Sequence, residues 1–241
     1  MPSTEVIALK ERLYKDQVDG TTFFRKLISD RLGTDADMLD LGCGKGKGTF
    51  DFRSEGAFVV GCDIGNDVNE NRFVSARVFG DAYALPFRSE SFHLVLMDFF
   101  VEHLKSPDLC ARETFRVLRR GGYLMLRTPN LYHYVSIVGR ITPHWFHRLV
   151  ANRVRGLAGP SESPVFRTHY RANTSRAVKR VFSQAGFLPE EIIMVEREPS
   201  YLMFARLTFL LGYWYERLVN KYDSLANLRS NIFGIMRKPA E

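Results

Sequence analysis

An acidic residue followed by three glycines at alternating positions is the most distinctive chemical pattern in this sequence. Asp40 precedes Gly42, Gly44 and Gly46 within the stretch MLDLGCGKGKGTF, directly after a short apolar run. Because glycine has no Cβ, a loop of this kind turns sharply and lets a ligand reach van der Waals contact with the backbone. The pattern therefore predicts a binding loop for a small molecule at the end of a strand.

Two common phosphate-binding patterns do not fit this loop. A P-loop needs glycine, four residues, and then Gly-Lys followed by Ser or Thr, whereas Gly46 and Lys47 are followed by Gly48. The dinucleotide fingerprint needs glycine at its first, third and sixth positions, and the sixth position counted from Gly42 is Lys47. A nicotinamide oxidoreductase is therefore disfavoured, as is a P-loop nucleotidase.

Three apolar runs of the sequence each end in an acidic residue, at Asp40, Asp63 and Asp98. Strands that alternate with helices predict βαβ units, and hence an α/β fold with a mostly parallel sheet covered by helices on both faces. Ligands of such sheets bind beyond the carboxyl ends of the strands, where the three acids fall. The predicted strands cover residues 36–40, 57–63, 72–79, 91–98, 123–129, 190–197 and 231–237.

Helix signals fill most of the gaps between these strands. Their positions follow from capping residues, from proline at a helix start and from glycine at helix ends. The predicted helices are two within residues 1–35, one from the glycine loop to Glu55, one from Pro107 to Gly121-Gly122, and one from Thr174 to Gly186.

The overall charge of the chain is positive, with a formal net charge of +7 and a pI near 9.4. Residues 140–186 carry nine Arg or Lys side chains against one acid, Glu162. This bias indicates either an anionic partner or a solvated basic face. Three cysteines, Cys43, Cys62 and Cys110, lack metal-ligand spacing and cannot all pair, so we expect no metal site and a cytoplasmic location.

The acid and alternating glycines after a strand resemble the first motif of the class I S-adenosylmethionine-dependent methyltransferases. The stretch FGDAYALPFRSESFHLVLMDFFVEHL is similar to the second half of the same family's pattern, and ETFRVLRRGGYLMLRTPN continues the resemblance. In particular, these motifs resemble the small-molecule, type 11 subgroup that includes quinone-biosynthesis methyltransferases. His93 and Arg120 depart from the pattern, which usually has aspartate and often proline there. The resemblance covers about residues 36–130 and implies a Rossmann-like sheet of seven strands, the last antiparallel.

The resemblance divides the chain into four segments. We expect N-terminal helices at 1–35, a cofactor-binding core at 36–130, a basic and aromatic insertion at 131–172, and the end of the core at 173–241. The last segment contains an apolar helix at about 199–225, where this fold normally has a tight turn. We expect the two insertions to cap the site and admit an amphiphilic or lipid-linked acceptor. The alternative is an extra core or dimer helix, and the chain is either a monomer or a homodimer.

The resemblance implies S-adenosylmethionine as the cofactor. In the family, the acid matching Asp40 meets the methionine amino group, the one matching Asp63 accepts the ribose hydroxyls, and the one matching Asp81 faces the adenine amino group. The expected cofactor-binding residues are Asp40, Gly42, Cys43, Gly44, Gly46, Asp63, Ile64, Asp81, Ala82 and Asp98.

The reaction implied by this cofactor is direct transfer of the methyl group from the sulfonium to an O, N or C atom of the acceptor. Positioning carries much of that chemistry, and a base is needed only where the nucleophile must lose a proton. His103 and His133 are the candidate bases, and the alternative for each is a packed or capping histidine. The expected substrate-side residues are Phe99, Tyr132, Tyr134, Trp145, His169 and Tyr170.

The region after the fourth strand bears on the substrate class. Enzymes of this fold that methylate nucleic acids usually carry Asn/Asp-Pro-Pro-Tyr or a Pro-Cys nucleophile, whereas this chain has MDFFVEH. DNA is therefore not an expected partner, and the chain has no recognisable RNA-binding signature. We expect a small or lipophilic acceptor, with an anionic membrane surface as a further candidate partner. A binding module that keeps the fold without catalysis is the rival interpretation.

Overall fold

The structure, a computed structural model, describes residues 3–141, 167–197, 199 and 202–241. The chain forms two compact units, each assembled from separate segments. The core unit consists of the described parts of Thr21–Pro129, Thr168–Ile193 and Ile232–Glu241. The helical unit consists of the described parts of Met1–Gly20, Asn130–Arg167 and Met194–Asn231.

Seven strands form one sheet in the order β3-β2-β1-β4-β5-β7-β6. Strands β1 to β5 pair in parallel, and Asp40 on β1 lies opposite Gly61 on β2 and Leu96 on β4. The carboxyl ends of these three strands therefore meet at one edge of the sheet. The strands are β1 (Asp37–Leu41), β2 (Phe58–Asp63), β3 (Ala76–Phe79), β4 (Phe92–Asp98), β5 (Leu118–Pro129), β6 (Leu188–Val195) and β7 (Asn231–Arg237).

Strand β7 runs antiparallel to β5, as the family resemblance implies. At one end of the pair, the Lys238 N–H donates to the Gly122 carbonyl at 2.9 Å, and at the other the Asn130 N–H donates to the Ser230 carbonyl at 2.7 Å. Residue numbers therefore rise along β5 while they fall along β7, which is the register of an antiparallel pair. The predicted seven-stranded, mostly parallel sheet with an antiparallel last strand is confirmed.

The core unit buries apolar strand residues beneath helix α2. Phe24 and Ile28 of α2 are fully buried, and the Phe24 ring lies 4.9 Å from that of Phe233 on β7. Leu39 and Val95 at the centre of the sheet are also fully buried, as expected of strands covered on both faces. The described helices are α1 (Thr4–Leu13), α2 (Gly20–Ser29), α3 (Pro107–Val117), α4 (Tyr134–Ile141), α5 (Ser175–Gln184) and α6 (Arg206–Lys221).

The helical unit contains a contact between α1 and α6 that neither helix's sequence reveals alone. The Tyr14 hydroxyl, just after α1, donates to the buried carboxylate of Glu216 on α6. The Tyr14 ring also lies edge-on to Tyr213 and Phe209 of α6, with centroid distances of 5.9 and 6.3 Å. These contacts tie the N-terminal helix to a helix about 200 residues later in the chain.

The helix predicted from the glycine loop to Glu55 is wrong. The structure has two 3-10 turns there, Gly48–Phe50 and Arg53–Glu55. Asp51 separates them, because its carboxylate accepts hydrogen bonds from the backbone N–H and the side chain of Arg53 and so competes with helical hydrogen bonding. Phe50 and Phe52 are both buried although they are two positions apart, a spacing that does not share one helix face.

Several predicted strand boundaries also shift. Strand β3 begins at Ala76 instead of Arg72, and β5 begins at Leu118, which the sequence placed on the preceding helix. Gly121 and Gly122, predicted to end that helix, lie inside β5, and the Gly121 N–H donates to the Lys238 carbonyl at 3.0 Å. Leu118 pairs with Phe92 of β4, so the start of β5 depends on pairing with a distant strand that the local sequence does not show.

Candidate cofactor and active site

The three glycines of the loop all adopt the left-handed conformation, with φ of 76° at Gly42, 47° at Gly44 and 76° at Gly46. Added Cβ atoms would lie 2.1 Å from the Phe100 ring at Gly42 and 2.2 Å from the Asn71 side chain at Gly46. At Gly44, by contrast, no described residue beyond its chain neighbours comes within 4 Å of a Cβ position. The outer glycines therefore serve packing, whereas Gly44 leaves its backbone open and could accommodate a ligand there.

Asp63 links this loop to the end of β2. Its carboxylate accepts the Gly44 N–H at 2.9 Å and the Gly65 N–H at 2.7 Å, one on each oxygen. Each carboxylate oxygen has a second lone pair, so both oxygens can still accept from ligand hydroxyls. The position of Asp63 beside Gly44 thus fits a ribose, as the family resemblance implies.

Asp40 carries a carboxyl group that is poised between its two protonation states. Burial, together with the negative charges of Asp98 and Asp63 and against the opposing effect of Lys47, raises the pKa of Asp40 to about 7. A cation placed next to this carboxyl would favour its ionised form. Asp40 is therefore suited to bind a positively charged ligand group, and S-adenosylmethionine has such a group in its amine.

Arg127, on β5, forms a buried cluster that the sequence analysis missed. Its Nε lies 2.5 Å from Asp98 Oδ1, and its Nη1 donates to the Thr21 hydroxyl at 2.9 Å. Lys47 Nζ lies 3.2 Å from the other Asp98 oxygen. Both oxygens of Asp98 thus have a cationic partner, one from the buried Arg127 and one from Lys47, whose side chain remains 60% exposed. An arginine within an otherwise apolar strand was the available sequence signal.

Aromatic rings surround the Arg127 guanidinium. The centroids of Phe99, Phe24 and Phe50 lie 4.4, 5.4 and 5.6 Å from its Cζ. Phe99 has a φ of +52°, a conformation that costs free energy in residues other than glycine, and its N–H donates to the Arg127 carbonyl at 2.8 Å. Strained residues of this kind concentrate at functional sites. Phe99, a predicted substrate-side residue, therefore lies at the sheet edge with Asp98.

Glu102 is a second functional candidate that the sequence analysis did not single out. Its buried carboxyl accepts from the Thr128 hydroxyl at 2.9 Å, and that hydroxyl accepts from the Asn173 amide at 2.6 Å. Burial raises the pKa of Glu102 to about 7. The main-chain carbonyl of Glu102 accepts the His169 and Tyr170 N–H groups at 2.7 and 3.2 Å. Both of these predicted substrate-side residues are thus brought beside Glu102.

The residues predicted to meet an adenine are arranged around the ends of β2 and β3. The Asp81 carboxylate accepts the Tyr83 N–H at 2.9 Å, which leaves its second oxygen for a ligand. Ala82 is buried, whereas Ile64 presents an exposed side chain directly after Asp63. Cys43 packs against Gly61, and burial raises the pKa of its thiol, which keeps the thiol protonated. An exposed apolar side chain near a carboxylate suits a flat, hydrogen-bonding base.

The two candidate catalytic histidines lie in different units. His103 ends the 3-10 turn Val101–His103 of the core unit, next to Glu102, and its N–H donates to the Phe100 carbonyl at 3.0 Å. His133 belongs to the helical unit, where it is buried with Nε2 at 3.3 Å from Glu196 Oε2. Burial lowers the pKa of His133 to about 4 and raises that of Glu196 to about 8.

The remaining predicted substrate-side residues flank His133 in sequence. Tyr132 is exposed, and the Tyr134 ring lies 4.1 Å from the His133 ring. Trp145 lies outside the described residues. Within the part of the chain that the structure describes, no group of three or more His, Cys, Asp or Glu side chains is arranged to hold a metal ion. No described helix combines the length and the apolar composition needed to cross a membrane.

Comparison with known proteins gives the same family as the motifs. Residues 39–126 match the family model described as a methyltransferase domain, type 11. Demethylmenaquinone methyltransferase from Corynebacterium glutamicum is 27% identical over 135 residues, which cover 54% of this chain and 56% of that protein. The chain therefore spans about half the length of the curated relatives it matches.

Solved structures show the same fold over most of the chain. An S-adenosylmethionine-dependent methyltransferase from Methanosarcina mazei superimposes with a TM-score of 0.56 at 20% identity, covering 89% of this chain and 98% of that one. Phosphoethanolamine N-methyltransferase 2 from Haemonchus contortus, in complex with S-adenosylmethionine, gives 0.56 at 16% identity, covering 98% and 57%. Residues 39–126 therefore carry a methyltransferase domain of the type 11 family, and the chain has the fold of S-adenosylmethionine-dependent methyltransferases.

Proposed function

We propose that this protein is a methyltransferase that uses S-adenosylmethionine and acts on a small, lipophilic acceptor. The observation that carries the proposal is the left-handed, unobstructed backbone of Gly44, with the Asp63 carboxylate bonded to its N–H. A bulky sulfonium ligand needs such bare backbone, and its ribose needs a carboxylate at that point. When bound, the cofactor supplies an electrophilic methyl group.

The side chains of the core unit supply one polar contact for each part of the cofactor. Asp40 is proposed to meet the amine, Asp63 the ribose hydroxyls, and Asp81 the adenine amino group, with Ala82 as its backbone neighbour. The exposed side chain of Ile64 is proposed to pack on the base. The fold and the glycine geometry support these assignments, since all of these residues lie at or just after the carboxyl ends of the parallel strands β1, β2 and β3.

The acceptor is proposed to be lipophilic because the relative from Corynebacterium glutamicum is named a demethylmenaquinone methyltransferase. The methyl group passes directly to an O, C or N atom, and most of the enzyme's contribution is the orientation of the two partners. Where the acceptor must lose a proton, His103 is the proposed base. Glu102 is next to it in the same turn, and its raised pKa places a second proton acceptor close to neutrality. His133 is less suited, because its low pKa makes it a weak base.

The rival function is a module that binds the cofactor without turnover. Isothermal titration of the protein with S-adenosylmethionine, followed by incubation with labelled donor and a lipid extract of its own cells, separates the two. Binding with transfer of label supports the enzyme, and binding without transfer on any fraction supports the module. No binding refutes both. We also propose a cytoplasmic location, which three free cysteine thiols support.

A further inference from the structure

Helix α6 of the helical unit has one side packed within that unit and one apolar side exposed to solvent. The packed side consists of Phe209, Gly212, Glu216 and Val219. The opposite side presents Leu207, Leu211, Trp214 and Leu218, which are 69%, 60%, 66% and 51% exposed. Their spacing of four, three and four residues places them on one line along the helix. These four residues are called the α6 stripe.

The α6 stripe is more apolar surface than a water-exposed helix normally carries. Single exposed leucines are common on protein surfaces, but contiguous apolar patches mark sites of interaction. Phe204, shortly before the helix, and Tyr222, directly after it, are also exposed. Apolar surface therefore continues past both ends of the helix.

The exposed charges of α6 are all positive. Glu216 is the only acid within Arg206–Lys221, and it is buried with the Tyr14 hydroxyl bound to it. Arg217 lies 4.9 Å from the Tyr213 ring, and Lys221 lies 5.4 Å from the Tyr222 ring. Long basic side chains placed along aromatic rings bury their stems while their charged ends reach outwards. The apolar stripe is thus accompanied by cations on the same helix.

We propose that the α6 stripe docks on the surface of an anionic lipid bilayer, with the helix lying in the plane of the interface. Leucines and a tryptophan on one face, with basic residues beside them, are the composition of helices that bind there. Each basic side chain near such a surface adds attraction to anionic lipids. The biological purpose of docking rests on the proposed function, because a lipophilic acceptor is found in the bilayer.

A second copy of the chain is a poorer occupant of this surface. Two α6 helices packed antiparallel through their stripes would bring Arg206 of each copy towards Arg217 and Lys221 of the other. Arg206 is paired with Glu5 of α1 at 2.7 Å, but α6 has no exposed acid of its own to offer Arg217 or Lys221 of a second copy. An anionic surface, by contrast, complements Arg217 and Lys221.

Vesicle co-sedimentation of the full chain, without methyl donor, tests the role of the stripe. We expect binding to vesicles of phosphatidylcholine with phosphatidylglycerol, and a fall in affinity of about ten-fold or more when Leu211→Ser and Trp214→Ser are combined. The matched control combines Leu109→Ser and Leu188→Ser, which lie on the core unit and are 42% and 55% exposed. This control should bind like the wild type.

The contribution of charge is tested in the same assay. Combining Arg217→Gln with Lys221→Gln should weaken binding by about 30-fold, since each cation near an anionic surface contributes roughly 1 kcal/mol. The control combines Lys26→Gln with Arg112→Gln, two exposed basic residues on helices of the core unit. We expect this control to leave binding unchanged, and pure phosphatidylcholine vesicles to bind the wild type weakly.

Tryptophan fluorescence reports on the stripe directly. The chain has two tryptophans, so Trp145→Phe leaves Trp214 as the sole reporter. Its emission should shift to shorter wavelength on addition of anionic vesicles. Absence of vesicle binding, binding that survives the stripe substitutions, or an unshifted Trp214 emission would overturn the proposal. A concentration-dependent dimer that Trp214→Ser dissociates, without vesicle binding, would assign the stripe to a second copy instead.

Vesicle binding and S-adenosylmethionine binding are measured separately, so the docking proposal and the proposed function can fail independently. Titration with S-adenosylmethionine is run on the wild type and on the stripe variant, whose substitutions are all at exposed positions. A stripe variant that keeps the donor affinity and the helical circular dichroism of the wild type but loses vesicle binding supports the proposal. Wild-type protein that binds vesicles but not the donor would refute the proposed function and leave the docking surface in place.

Discussion

Binding of S-adenosylmethionine should depend on pH through the carboxyl of Asp40. Its pKa of about 7 means that the group is largely protonated at pH 6 and largely ionised at pH 7.5. If only the ionised form binds the cationic amine, the apparent affinity scales with the ionised fraction, which makes binding roughly eight-fold weaker at pH 6 than at pH 7.5. Titration calorimetry in two buffers of different ionisation enthalpy should also detect release of a proton on binding below pH 7.

Two variants isolate the contribution of Asp40. Asp40→Asn should weaken binding at both pH values and abolish the pH dependence, because the amide has no charge to gain. Asp37→Asn is the matched control, since Asp37 begins the same strand and pairs with Arg119 at 2.9 Å. It should retain the wild-type pH dependence. Equal wild-type affinity at the two pH values, with no proton release, would refute the role of Asp40.

Three further variants test the cluster at the sheet edge by thermal unfolding. Arg127→Leu should lower the free energy of unfolding by about 3 kcal/mol, because it removes one of two cations from the buried Asp98 carboxylate. An unchanged melting temperature would contradict this prediction. The raised pKa of Glu102 means that the unfolded chain loses this proton at lower pH than the folded protein does, so the wild type loses stability as pH rises from about 4.5 to 7. Glu102→Gln removes this titration and should lose less stability than the wild type over the same range. Phe99→Gly should remove about 1 kcal/mol of backbone strain but lose its ring contacts, so its melting temperature should fall less than that of Phe100→Gly.

Local patterns predicted the strands and the position of the binding loop well, because each depends on neighbouring residues. An apolar run ending in an acid identifies a strand and its carboxyl end, as at Asp40, Asp63 and Asp98. Alternating glycines identify backbone that needs a positive φ, as the structure shows at all three positions. The stretch after the loop failed as a prediction because Asp51 binds its own neighbour's backbone, and this competes with a helix.

The parts of the site that the sequence did not reveal depend on pairings between distant residues. The partnership of Asp98 with Arg127 exists because β4 lies beside β5, and the Thr128 hydroxyl links Glu102 to Asn173, 71 positions later in the chain. His133 looked like a catalytic candidate by its place after β5, yet the structure assigns it to the helical unit with Glu196. Chemistry readable from spacing alone is thus limited to groups on one loop or one strand end.

One pair of variants tests whether the bare backbone of Gly44 receives S-adenosylmethionine. Gly44 and Gly121 have φ of +47° and +74°, and neither has a described residue beyond its chain neighbours within 4 Å of a Cβ position. Alanine at either site should therefore cost a similar amount, about 1–2 kcal/mol of backbone strain. Calorimetric titration should show at least about five-fold weaker binding for Gly44→Ala, since overpacking a fitted contact costs about 1–3 kcal/mol. Gly121→Ala should bind like the wild type, and equal affinities for the two variants would contradict the account.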